Sequence, residues 1–170
     1  DLALREFFKL SQNKEWFDNT IFIVTADHTS INETPEHRSY RGKYGVPLLI
    51  YSPKYIRPER IDKAVQHLDI FPTIKQFAGV KEQVAMGRSL LDSASSAILQ
   101  FDGSIYTFTN DSFSLQWNGT KNYRLYNYKN DLAETWNQNT EKKDYGDEML
   151  GELKVTLQKY NYRLLNNRFK

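Results

Sequence analysis

An aspartate and a histidine stand side by side, Asp27-His28, directly after the apolar run Thr20-Ile-Phe-Ile-Val-Thr-Ala26. The run is short, rich in β-branched residues and free of alternation, the pattern of a strand buried on both faces. Successive side chains on a regular strand point to opposite faces. An adjacent Asp and His can therefore meet on one ion only where the chain leaves the strand, and these two lie there. In open α/β sheets, ligands bind beyond the carboxyl ends of the strands. A carboxylate oxygen with an imidazole nitrogen suits zinc or manganese, and less well calcium. The plainer alternative is an Asp and a His opening an ordinary polar loop, because no further ligand is visible by spacing.

His37, Arg38, Arg41 and Lys43 follow in the polar stretch that also holds Pro35, Gly42 and Gly45. Cations there could hold an oxygen of a phosphate or sulfate; the alternative is a solvated loop. His67 reads as a packing histidine rather than a ligand. Asp69 reads as the N-cap of a helix running to Gly79, with Pro72 in its first turn and Ile70, Ile74, Phe77 and Ala78 on one face.

The elements that must position these residues begin with LALREFFKL at residues 2–10, apolar at near-helical spacing. The chain opens at Asp1 already inside that helical pattern, which predicts further residues upstream. Val46-Pro-Leu-Leu-Ile-Tyr51 is a second strand, with Pro47 suiting an edge or a strand start. The long separation from Thr20–Ala26 excludes a tight hairpin and predicts neighbouring strands of a mostly parallel sheet. From Ile98 the pattern changes. Ile105–Thr109, Ser112–Trp117 and Tyr123–Tyr128 alternate, separated by Asn110-Asp111 and Asn118-Gly119, which predicts a three-stranded antiparallel meander. Leu150, Leu153, Leu157, Tyr160 and Leu164 then form a stripe on a last helix, about residues 146–168. The expected fold is α/β: part of a mostly parallel sheet with flanking helices, then a small antiparallel sheet and a C-terminal helix. The expected division is residues 1–97 and 98–170.

Composition limits what such a chain can do. The 170 residues fit about one domain, and a 14% aromatic content can fill a core. A formal net charge of +2, from 23 basic and 21 acidic residues without a dense basic run, argues against nucleic acid. The absence of cysteine excludes disulfides and thiolate metal sites. No apolar run reaches the roughly 18 residues of a membrane span.

Asn19-Thr-Ile-Phe-Ile-Val-Thr-Ala-Asp-His28 resembles the strand of sulfatases and lipoteichoic-acid-synthase-like phosphoglycerol transferases that delivers two metal ligands. Tyr44-Gly-Val-Pro-Leu-Leu-Ile-Tyr-Ser-Pro53 looks like the following strand of that superfamily. Gln66-His-Leu-Asp-Ile-Phe-Pro-Thr73 is similar to its Asp-x-x-Pro-Thr helix start, and Met86-Gly-Arg-Ser-Leu-Leu91 to its Gly-x-Ser-Leu segment. The stretch from Tyr123 to Asn137 resembles its terminal Leu-Tyr, Asp, Glu, Asn signature. These motifs occur in the superfamily's order.

The resemblance implies a C-terminal portion of an alkaline phosphatase/sulfatase superfamily enzyme, with Asp27 and His28 as ligands of one divalent ion. Manganese is the first choice; zinc, magnesium and calcium are alternatives. It places the Thr, Ser or modified Cys nucleophile and another acidic ligand upstream, so this chain alone is expected to be inactive. It implies a covalent intermediate and transfer to a sugar or glycerol acceptor, or to water. Thr29 stands after His28 where sulfatases usually have Gly, which leans toward the phosphoglycerol-transferase branch. Sulfate ester hydrolysis is the alternative, and a non-catalytic scaffold a second one. Expected partners are the upstream remainder of the catalytic domain, a phosphate or sulfate ester, and a second copy through an exposed cut face. An extracytoplasmic, membrane-anchored setting in the cell envelope is implied for the intact protein.

Overall fold

The computed structural model describes residues 1–29, 34–80, 86–93 and 97–168. The chain forms two compact units, residues 1–31 with 44–61, and residues 32–43 with 62–170. These cut the chain differently from a division at residue 97. The reason is hydrogen bonding: Ala64 N donates to Asp111 Oδ1 at 2.9 Å and Lys129 Nζ to Asp62 at 3.0 Å, tying the middle of the chain to the antiparallel part.

In the first unit, α1 (Leu2–Ser11) turns Phe8 toward Phe17, Phe22 and Tyr51, with ring centroids 5.1–6.3 Å from Phe8. The rings meet edge-on, the arrangement their quadrupoles favour. β1 (Phe22–Thr25) and β2 (Leu48–Tyr51) are neighbours, as expected, but they run antiparallel, Phe22 opposite Tyr51 and Thr25 opposite Leu48. The expectation of a parallel pair is thus corrected. A parallel return needs a crossover, usually a full helix, whereas the described residues of the connection form only α2 (Pro35–Arg38) and a 3-10 turn at Gly42–Tyr44. A long connection rules out a tight hairpin without ruling out antiparallel pairing. Nor is β1 buried on both faces: Phe22, Ile23 and Val24 are half-buried and Thr25 is exposed.

In the second unit, α3 (Ile70–Phe77) follows a 3-10 turn at His67–Asp69. Asp69 is buried and stands at the N-cap position of α3, as expected, but its side chain makes no capping hydrogen bond to that helix. Its Oδ2 accepts the Gln66 amide at 3.0 Å and its Oδ1 the Arg88 amide at 3.0 Å. Thr73 Oγ1 donates to Asp69 O at 2.6 Å and accepts from Leu90 N at 2.9 Å. The two side chains staple residues 88–90 to the helix start. Gly87 has φ +77 and its missing Cβ would collide with Leu68 O, so only glycine fits there. The helix buries Pro72 and Thr73, while Ile74, on the face expected to be apolar and inward, is exposed.

The core lies in the antiparallel part. β3 (Ile98–Phe101), β4 (Tyr106–Thr109), β5 (Phe113–Trp117) and β6 (Tyr123–Asn127) form a four-stranded meander, one strand more than expected. Registered pairing lines up Leu99, Phe108, Leu115 and Leu125 across it. α4 (Lys143–Leu165) lays Met149, Leu150 and Leu153 on this row, with Leu157 partly buried. Gly146 lets the helix close on Tyr123, whose ring occupies the space a Cβ would need. The stripe expected to continue through Tyr160 and Leu164 instead leaves the core: Leu164 is 54% exposed. A helix of 23 residues spans about 34 Å, roughly twice the width of four paired strands. Its distal turns run past the sheet.

Leu153→Ala should therefore cost about 2–5 kcal/mol, and Leu164→Ala less than about 0.5 kcal/mol, as expected for a surface site. Urea unfolding of both variants against the parent chain measures the contrast.

Candidate metal centre

Asp27 and His28 follow β1, where the chain has left the strand and both side chains can turn to one side. His28 Nε2 lies 3.5 Å from Asp27 Oδ2, and the side chains are 78% and 87% exposed. His28 Nδ1 is 2.7 Å from the Thr29 carbonyl, and Asp27 Oδ1 accepts the His28 amide at 3.0 Å. A carbonyl only accepts, so Nδ1 carries the proton, and Nε2 is the nitrogen whose lone pair can serve a metal. A backbone carbonyl holding the far nitrogen is the usual support of a ligating histidine. The same carbonyl, and then the Asp27 charge, raise the His28 pKa above its ordinary 6.5. Two ligands at roughly 2.1 Å from one tetrahedral ion stand about 3.4 Å apart, so this donor pair fits a shared ion. Among the described residues no group of three or more His, Asp or Glu could hold a metal; the pair supplies two donors and no more.

The four loop residues fall in the second unit. Thr34 caps α2, its Oγ1 accepting His37 N at 3.3 Å and lying 2.7 Å from His37 Nδ1. Arg38 ends that turn on the surface. Arg41 is largely enclosed, with 17% of its side chain exposed, and Nη2 reaches Glu36 at 3.1 Å. Its guanidinium lies 4.5 Å from the centre of the Tyr128 ring, and its Nε is 4.0 Å from Glu134, whose side chain is 2% exposed. Lys43 donates to Asp102 at 2.7 Å and stands 4.6 Å from the Tyr40 ring centre. Asp27 and His28 are brought together, whereas Arg41 and Lys43 are each brought to carboxylates of the antiparallel part. His67, read as a packing residue, is exposed at the start of its turn.

Glu134 was not singled out from the sequence, although it lies in the terminal signature. Its φ of +55 is unusual for a residue with a side chain, and Gln116 Nε2 donates to it at 2.8 Å. The neighbouring signature residues have structural tasks too. Asp131 Oδ2 accepts Thr135 N and Trp136 N, both at 2.7 Å, and so folds the loop. Asn137 Oδ1 accepts Leu125 N at 2.9 Å, returning the chain to β6.

Glu134→Ala removes the acceptor of the buried Gln116 Nε2 while leaving Arg41 paired with Glu36. It should cost about 1–3 kcal/mol in chemical denaturation. A second expectation concerns pH. Lys43 foremost, then the Ile105 and Ser104 amides, hold the Asp102 carboxyl well below its ordinary value of 3.8. A depressed folded pKa gives stability that is fully present above the unfolded pKa and lost as pH falls through the folded one. Stability should thus decline below about pH 4, and Asp102→Asn should flatten that acid limb in thermal melts taken across pH.

Residues 1–80 match the protein-family model for Sulfatase. Arylsulfatase K of Gallus gallus is 31% identical over a stretch covering 54% of this chain and 18% of that protein. Among solved structures, a protein held with its substrate D-glucosamine-2-N,6-O-disulfate superposes with TM-score 0.67 at 20% identity, over 94% of this chain and 38% of that one. A Bacteroides thetaiotaomicron protein of glycosaminoglycan metabolism gives 0.71 at 18% identity, over 99% and 44%. An alkaline phosphatase superfamily protein from Vibrio parahaemolyticus gives 0.59 at 24%, over 72% and 31%. The chain thus spans less than half the length of each of these proteins, and among its described residues no helix is long and apolar enough to cross a membrane. The family-model match lies in residues 1–80, the curated relative matches just over half of this chain, and the solved neighbours, each under 25% identical, share its fold.

Proposed function

We propose that this chain is the C-terminal part of a metal-dependent phosphoryl transferase of the phosphoglycerol-transferase kind, and that Asp27 and His28 are two ligands of its metal. The observation that carries the reading is the pair itself: Nε2 and Oδ2 are 3.5 Å apart, with Nδ1 anchored on the Thr29 carbonyl. Thr29, in place of the usual glycine, supports the transferase branch over sulfate ester hydrolysis. The arylsulfatase K likeness supports hydrolysis as the second reading.

A bound divalent ion, manganese before zinc, magnesium or calcium, would lower the pKa of a hydroxyl nucleophile and neutralise charge on the ester oxygens. Asp27 contributes the negative charge of the donor set, and His28 a neutral nitrogen in a set tautomer. The nucleophile and the remaining ligands belong to sequence outside these 170 residues. His37 and Arg38 stay the candidates for an ester oxygen. Arg41 and Lys43, engaged by Glu36, Glu134 and Asp102, would act by shaping the loop that carries them. Leu2, Leu10 and Leu49, exposed on the first unit, suit contact with the remainder of the catalytic domain or with a second copy. The setting of the intact protein is extracytoplasmic.

In the full-length protein, Asp27→Ala and His28→Ala should each abolish turnover of a glycerophosphate-headgroup lipid. Turnover of an aryl sulfate in its place selects the hydrolase reading. Normal turnover by either variant overturns the ligand assignment. The 170-residue chain, with two donors, should bind manganese only weakly in calorimetry.

A further inference from the structure

The face of α4 turned away from the meander carries a pattern of its own. Gly151, Val155, Gln158, Tyr162 and Leu165 follow at alternating steps of four and three residues, and all are exposed. That is the seam spacing of two helices lying side by side. A glycine inside an exposed helix is unfavourable relative to alanine. Gly146 repays this by making room for the Tyr123 ring, but no atom of the chain lies within 4 Å of where a Gly151 Cβ would stand. The Tyr162 ring is exposed, with the Arg168 guanidinium 5.5 Å from its centre.

The charges beside this seam are segregated. Glu148 and Glu152 lie on one flank, four residues apart, and Lys159 and Arg163 continue the same flank, again four apart. Like charges at that spacing on a helix repel. Glu152 and Lys159 are separated by about 10.5 Å along the axis, too far to pair within one helix. Among the described residues none of the four has a salt-bridge partner. A second α4 laid antiparallel relieves both repulsions. Two-fold symmetry sets the same flank of each helix against itself, so the acidic end of one meets the basic end of the other. The alignment that brings Glu152 to Lys159 of the second copy also brings Glu148 to its Arg163. It places Tyr162 level with Gly151 to within about one residue's rise of 1.5 Å. A parallel copy would set acid against acid.

We infer that α4 forms an antiparallel two-fold contact with the α4 of a second copy, the Tyr162 ring of each seated on Gly151 of the other. The inference stands on α4 alone and does not depend on Asp27 and His28 being metal ligands. The contact, from Glu148 to Leu165, is about 27 Å long. That is short for the roughly 1,200–2,000 Å² of a stable interface, so the dimer forms at high chain concentration.

The test is sedimentation of the 170-residue chain in EDTA, which removes any metal bridge, at concentrations up to about 1 mM. The parent should show a monomer–dimer equilibrium. Glu148→Lys with Glu152→Lys, and separately Lys159→Glu with Arg163→Glu, should each weaken it at least tenfold. An equimolar mixture of the two double variants should recover it as a heterodimer, since each then carries the charge the other lacks. Gly151→Leu should weaken association at least tenfold, while its melting temperature at dilution does not fall, the helix having lost a glycine. Circular dichroism reports that each variant is folded. A parent chain that stays monomeric throughout would overturn the inference. So would self-association that both double variants retain, which would put the contact at another surface such as the exposed leucines of the first unit. Failure of the mixture to recover the dimer, or undiminished association of Gly151→Leu, would overturn it equally.

Discussion

The seam between α4 and the meander organises the second unit. Leu115, Leu125, Met149 and Leu153 are almost fully buried there, and a buried side chain of this kind contributes about 1.5–3 kcal/mol relative to an exposed one. The row works only because strand register brings Leu99, Phe108, Leu115 and Leu125 level, and because Gly146 admits the helix to Tyr123. Closing the seam determines how the turns at the ends of the strands are presented. The Asn118 turn between β5 and β6 is one of them.

Polar residues that look like active-site material serve this architecture. Asp69 and Thr73 fasten one segment to another through backbone amides, and Gly87 is required where that segment crosses Leu68 O. Asp131, Glu134 and Asn137 fold one loop and hold Arg41 against it. A buried ion pair of this sort is weak evidence for net stability, because desolvation offsets much of the attraction. It does select one position for the loop, since moving Arg41 away would leave Glu134 charged and enclosed.

The Asp27–His28 pair is of the opposite kind. It is exposed, ties up neither Asp27 Oδ2 nor His28 Nε2 in the protein interior, and has its histidine tautomer set by a neighbouring carbonyl. The Arg41–Glu134 pair, by contrast, is enclosed.

Local pattern placed this pair at a strand end and marked the helix at the start, the hairpin turns and the apolar stripe of the last helix. Each of these is local: a strand end, an Asx turn or a helical repeat depends on residues a few positions apart. Tertiary structure decided the rest. The direction of β2 relative to β1 was decided by a connection whose described residues hold no crossover helix, which apolar runs cannot report. The end of the α4 stripe was decided by the width of the sheet beneath it. The partners of Arg41 and Lys43, 93 and 59 residues away in the chain, were decided by strand register and loop closure. Spacing along a sequence carries no information about which carboxylate will be folded next to which cation, because that depends on the closure of the whole unit.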